Sequence, residues 1–180
     1  MDWKPQEPLS LILGTYRPGN LSSIVFDFVQ TCLEEKSIRP RLLKMQDLPE
    51  GFLFHNVVMG KGGPVDELSR RYIAEAAKLL FVIPEYNGSL PGILKAFIDV
   101  VQPEYFLNKK AAIIGVATGR AGNLRGCDHL ADVLMHLGVL VMPGALPISS
   151  LKTLLDAEFR LHDERTRQAV RAYVERFLAF

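Results

Sequence analysis

The sequence predicts an α/β fold: a doubly wound, five-stranded parallel sheet in the order 2-1-3-4-5, with helices on both faces. Three observations carry this prediction. Near-continuous apolar runs such as Leu9-Ser10-Leu11-Ile12-Leu13 suit strands buried on both faces. Segments of helical period separate the runs, as parallel neighbours require. Several runs stop at Gly14, Pro84 or Pro143, so turn chemistry gathers where strands end.

Taken in order, the first strand is Leu9 to Leu13. Leu21 to Glu35 follows as an amphipathic helix, with Ile24, Val25, Phe28, Val29 and Cys32 on its apolar face. Arg41 to Met45 reads as the second strand. Gln46 to Pro64 holds four glycines and two prolines without a clear period, which predicts a long loop. Val65 to Leu79 has helical spacing through Leu68, Tyr72, Ala76 and Leu79, and Lys78 to Ile83 runs into the third strand. A short helix spans Ile93 to Val101, started by Pro91-Gly92. Ala111 to Ala117 is the fourth strand and Leu124 to Leu137 a helix closed by Gly138. Val139 to Met142 is the fifth strand. Asp156 to Phe180 completes the chain as a charged amphipathic helix that packs through Phe159, Val170, Tyr173, Val174 and Phe177.

With 180 residues and no repeat or linker, the chain reads as one domain over residues 1–180. Such a length buries about 70% of the unfolded surface. Lys and Arg total 21 against 20 Asp and Glu, a formal net charge of +1, which favours neither nucleic acid nor an anionic membrane as partner. No apolar run reaches the ~20 residues of a membrane span. The opening MDWKPQEP lacks an apolar h-region, so a cytoplasmic location is expected rather than secretion. Cys32 and Cys127 have no metal or redox spacing and read as buried free thiols. His55, His129, His136 and His162 are scattered and read as packing or surface residues, with no metal expected.

In this strand order ligands bind beyond the carboxyl ends of the strands, at the switch between strands one and three. Three loops converge there. Gly14-Thr15-Tyr16-Arg17-Pro18-Gly19-Asn20-Leu21-Ser22-Ser23 leads into a helix start, where free N–H groups and the dipole suit a phosphate. Two readings stand for this loop: phosphate binding through Thr15, Arg17, Asn20 and Ser22, or simple capping by Asn20 or Ser22 beside a solvated arginine. It lacks the glycine patterns of nucleoside triphosphate and dinucleotide sites. Pro84-Glu85-Tyr86-Asn87-Gly88-Ser89-Leu90-Pro91-Gly92 bends tightly and sets an aromatic ring beside exposed peptide groups, against a flat heterocycle or the sheet edge. Ala117-Thr118-Gly119-Arg120-Ala121-Gly122-Asn123 permits close backbone approach at its glycines, or is a loop capped by Asn123.

Together these loops resemble the NADPH-dependent FMN reductase family, whose members share a flavodoxin-like fold and include azo-dye, quinone and chromate reductases. The family's PEYNGSxPGxLKNxID is matched by PEYNGSLPGILKAFID from Pro84 to Asp99, and its GSxRxxSxN by GTYRPGNLS from Gly14. ATGRAGNLRG and HLGVLVMP resemble the segments that follow, so the likeness runs from Leu9 to Pro143. Two positions depart from the pattern: Asn20-Leu21 stands where serine then asparagine is usual, and Ala96 replaces the asparagine of LKNxID.

The resemblance implies that Thr15, Arg17, Asn20, Leu21 and Ser22 hold the FMN phosphate. It implies that Pro84, Glu85, Tyr86, Asn87 and Gly88 line the isoalloxazine, and that Thr118, Gly119 and Gly122 approach its pyrimidine side. The implied activity is hydride transfer from NADPH or NADH through FMN to a small acceptor (flavin, quinone, azo compound or metal oxyanion), in a homodimer or homotetramer. Chemistry resides on the flavin, so no catalytic side chain is expected. A flavodoxin-type electron carrier or a flavin-binding redox sensor is the alternative, and the near-neutral charge weighs against the carrier, since carriers are usually acidic. The apolar run Gly51-Phe52-Leu53-Phe54 in the long loop suits either a subunit interface or a loop tucked against its own domain, and by resemblance Lys95 and Asp99 contribute to a subunit contact.

Overall fold

Alternation along the central strand divides the core in two: Leu80 and Val82 face one layer, while Leu79, Phe81 and Ile83 face the other. The computed structural model describes residues 8–60 and 63–180; the opening segment and residues 61 and 62 of the long loop lie outside it. Strands β1 (Leu9–Leu13), β2 (Arg41–Lys44), β3 (Lys78–Pro84), β4 (Lys110–Val116) and β5 (Leu140–Val141) are parallel, in the order β2-β1-β3-β4-β5. Helices α1 (Ser22–Glu35) and α5 (Glu164–Ala179) cover the first layer. Helices α2 (Pro64–Ser69), α3 (Gly92–Val100) and α4 (Leu124–His136) cover the second. Every residue of β1 and β3 is buried, as the near-continuous apolar runs required.

Five expectations need correction. The fifth strand is broken: β5 stops at Val141, and a second piece, β6 (Leu146–Ile148), resumes beside β4. Lys110 pairs with Leu140 but Ile114 with Leu146, so the edge strand carries two extra residues around Pro143-Gly144. That break leaves Ile113 without a strand partner on this side. The Tyr173 hydroxyl fills the gap, accepting from Ile113 N at 3.1 Å and donating to Ile113 O at 2.9 Å.

The long loop is not structureless, because Leu53–Val58 forms a wide, π-type helical turn. Within its apolar run Phe52 is core, whereas Leu53 and Phe54 are exposed. The helix expected to reach Leu79 continues from α2 only as a wide turn over Arg70–Ala74, and Leu79 belongs to β3. Its buried stripe is Val65, Ser69 and Ile73, with Leu68 and Tyr72 only half-buried. Finally, α5 begins at Glu164, capped by Asp163, whose carboxylate accepts from Thr166 N at 2.8 Å. Phe159 lies in the turn before it, at φ 58° and 66% exposed, and does not pack.

The carboxyl end of α5 is tied back to the sheet. Buried Lys78 donates to Phe177 O at 2.9 Å and Leu178 O at 2.7 Å, meeting carbonyls that have no helical partner. Both cysteines are buried free thiols.

Candidate functional site

The loops after β1, β3 and β4 meet at the switch between β1 and β3 and enclose a cleft of about 240 Å³. Arg17, Asn20, Leu21 and Ser22 form one wall; Pro84, Glu85, Tyr86 and Thr118 form the other. Gly19, Val116, Ala117 and Leu151 complete it. The first three flank residues singled out in the sequence. Leu151 had no such signal: it arrives because Leu151 N donates to Ala117 O at 3.0 Å and Ser150 N to Gly119 O at 2.8 Å, folding the segment after β6 over β4.

On the α1 side, Asn20 shapes the loop. Its Oδ1 accepts from Ser23 N at 2.9 Å and its Nδ2 donates to Arg17 O at 2.9 Å. Among the described residues the N–H groups of Leu21 and Ser22 and the Ser22 hydroxyl have no acceptor or donor partner, and α1 has no acid in its first turn. Free donors at a positive helix end, in a cleft that Arg17 also lines, form a set suited to a phosphate.

Across the cleft, Asn87 (φ 51°) and Gly88 (φ 75°) are both left-handed, and Tyr86 and Ser89 exchange backbone hydrogen bonds at 3.0 and 3.1 Å. This is the two-residue turn that Asn-Gly specifies. Glu85 N donates to Val116 O at 2.9 Å, anchoring the turn to β4. The Asn87 and Gly88 N–H groups have no acceptor within the described chain.

Thr15 is fully buried behind Tyr86. Its hydroxyl lies 2.5 Å from Tyr86 Oη and accepts from Arg17 N at 3.2 Å. Arg17 Cζ lies 4.8 Å from the centre of the Tyr86 ring, a cation–π contact. Gly119 is open, whereas Gly122 (φ +60°) is packed so closely that a Cβ would meet Pro147 at 2.7 Å. Asn123 does not cap α4 through its side chain; its Nδ2 donates to Ile83 O at 3.0 Å. Thus Thr15 and Gly122 are packed behind the cleft, while Asn87, Gly88 and Gly119 adjoin the lining residues Tyr86 and Thr118 along the chain. The donor set and the aromatic turn fit a phosphate-bearing flat heterocycle such as FMN.

A larger apolar cavity of about 630 Å³ lies on the other flank of the first loop, among Tyr16, Pro18, Leu48, Phe52, Phe54 and Ile93. Further along the same segment, Val57, Val58 and Met59 are also exposed. Among the described residues no cluster of His, Cys, Asp and Glu could hold a metal, and no helix is long and apolar enough to cross a membrane. The pair Lys95–Asp99 is present at 2.7 Å and is exposed.

Residues 9–153 match the sequence model of the NADPH-dependent FMN reductase family. A Pseudomonas aeruginosa NAD(P)H-dependent FMN reductase is 39% identical over 117 residues, which cover 62% of this chain and 63% of that protein. A 2-hydroxy-1,4-benzoquinone reductase from a Burkholderia species is 30% identical over 116 residues, with the same two shares. The chain therefore spans a little under two thirds of these relatives' length. Among solved structures, FerB, a flavoenzyme NAD(P)H:(acceptor) oxidoreductase from Paracoccus denitrificans, superimposes with a TM-score of 0.79 at 26% identity, covering 96% of this chain and 95% of that one.

Proposed function

The chain belongs to the NADPH-dependent FMN reductase family, and on that premise we propose that it is an NAD(P)H oxidoreductase working through bound FMN on a small acceptor, a quinone or flavin foremost. One observation carries this reading: a helix start with free donors and Arg17 faces an Asn-Gly turn bearing Tyr86, across the cleft at the β1/β3 switch.

FMN, when bound, supplies the hydride chemistry. The chain binds and orients it. Arg17, Ser22 and the N–H groups of Leu21 and Ser22 hold the phosphate, in a loop shaped by Asn20. Pro84 to Gly88 flank the ring, Thr118 and Gly119 border its polar edge, and Thr15 and Gly122 support these segments from behind. Leu21, Val116, Ala117 and Leu151 supply the apolar part of the cleft's lining.

A homodimer or homotetramer is part of the reading, supported by the exposed apolar strip Leu53, Phe54, Val57, Val58 and Met59. A cytoplasmic location is supported by two buried free thiols. Residues 1–180 act as one flavodoxin-like domain.

The test is oxidation of NADPH and of NADH by FMN-loaded protein, with a quinone, an azo dye, chromate or free flavin as acceptor. Turnover with at least one nicotinamide is expected. A protein that binds FMN but is inert with both is a carrier or sensor instead. Sedimentation of the same sample decides the oligomeric state.

A further inference from the structure

The Tyr86–Ser89 turn is gripped at both ends by side chains distant in sequence. At its start, Thr15 holds the Tyr86 hydroxyl. At its end, Ser89 Oγ lies 2.8 Å from Nδ1 of His129, in the second turn of α4. Residues three apart on a helix share a face, and Gly126, three before His129, abuts the same serine. A Cβ on Gly126 would stand 2.8 Å from the carbonyl carbon of Ser89 and 2.1 Å from Asn123 Oδ1, so glycine is what lets α4 come this close. Arg125 Nη1 lies 3.8 Å from where a Cβ on Gly88 would be. One helix face therefore braces the second half of the turn.

We propose that His129 is a positioning residue of the flavin site, fixing the aim of the Asn87 and Gly88 N–H groups through the hydroxyl of Ser89. The inference rests on the function proposed above. Both N–H groups lack an acceptor in the described chain, so their direction matters to a ligand rather than to the fold. A turn already fixed at both ends spends less binding free energy on ordering when that ligand arrives. His129 is exposed and Ser89 half-buried, so their bond adds little to stability compared with what it adds to aim.

The test compares Ser89→Ala, His129→Ala, the double variant and His129→Asn, whose carboxamide keeps a hydrogen-bonding group near the Nδ1 position. Two readouts are taken besides turnover: FMN affinity by flavin fluorescence, and amide hydrogen exchange at Tyr86 and Ser89 in the apoprotein. Each alanine is expected to weaken FMN binding about five-fold and to speed exchange at both amides. The double variant is expected to be no worse than the more impaired single, because the two groups act as one. His129→Asn is expected to stay within about two-fold of wild type. Unchanged affinity and exchange in His129→Ala would overturn the proposal. So would multiplied losses in the double variant, or an asparagine as impaired as the alanine. A wild-type protein that fails to bind FMN would instead overturn the functional reading, and the exchange measurement needs no flavin.

Discussion

The hydroxyls of Thr15 and Tyr86 lie 2.5 Å apart, joining the loops after β1 and β3 across 71 residues of sequence. Thr15 is fully buried, so its hydroxyl serves Tyr86 and the Arg17 N–H rather than solvent. Thr15→Val and Tyr86→Phe each remove one partner of this bond and are expected to cost about 1 kcal/mol of stability. The double variant is expected to cost no more than the worse single. Denaturant unfolding of all three measures it, and additive losses would show that the hydroxyls do not depend on each other.

The Arg17 guanidinium stacks on Tyr86, and Arg17 lines the cleft together with Asn20, Leu21 and Ser22. Arg17→Ala is expected to weaken FMN binding about ten-fold or more, and Arg17→Lys less, since lysine keeps the charge but loses the planar fork. Raised salt is expected to weaken the wild type more than the alanine variant. Fluorescence titration at two ionic strengths checks both statements. Equal affinity in wild type and Arg17→Ala would place the phosphate elsewhere.

What the sequence showed and what it hid have physical causes. β1, β3 and β4 were legible because strands buried on both faces leave unbroken apolar runs, and the Asn87-Gly88 turn because both positions need positive φ. The first loop remained ambiguous because Asn20 does cap α1, through Ser23 N, while the helix start still has free donors. Leu151 was invisible because backbone bonds to Ala117, not a motif, bring it to the cleft. β6 was hidden because it is three residues long with a proline at its centre. Phe159 is apolar yet does not pack, because its backbone takes a left-handed turn before α5 starts.

Tyr173 closes the break in the edge strand, where one hydroxyl serves both the N–H and the C=O of Ile113. Tyr173→Phe keeps the buried ring but leaves two backbone groups of β4 unpaired. Each such group costs about 1–3 kcal/mol, so the loss is expected to exceed that of Tyr86→Phe. Thermal unfolding checks it, at about 2–4 °C per kcal/mol for a chain of this size. A shift no larger than that of Tyr86→Phe would mean that water or a rearranged edge takes over the hydroxyl's role.

Cys127 gives the fold a dependence on alkaline pH. Burial, with Asp128 beside it, pushes its thiol up to about 12 from an ordinary value near 9.0. The folded state thus holds this proton more tightly than the unfolded chain does. The resulting stability is fully present below about pH 9 and is lost as pH rises from there towards 12. Burial raises the Tyr173 hydroxyl as well, so it acts in the same direction. Native protein near neutral pH is therefore expected to resist thiol reagents at Cys127, with labelling that follows global unfolding. Cys127→Ala is expected to lower stability at neutral pH by opening a cavity, and to flatten its decline between pH 9 and 11. Unfolding free energies across that range in both proteins test the account. An equally steep decline in the alanine variant would assign the alkaline loss to Tyr173 or other groups instead.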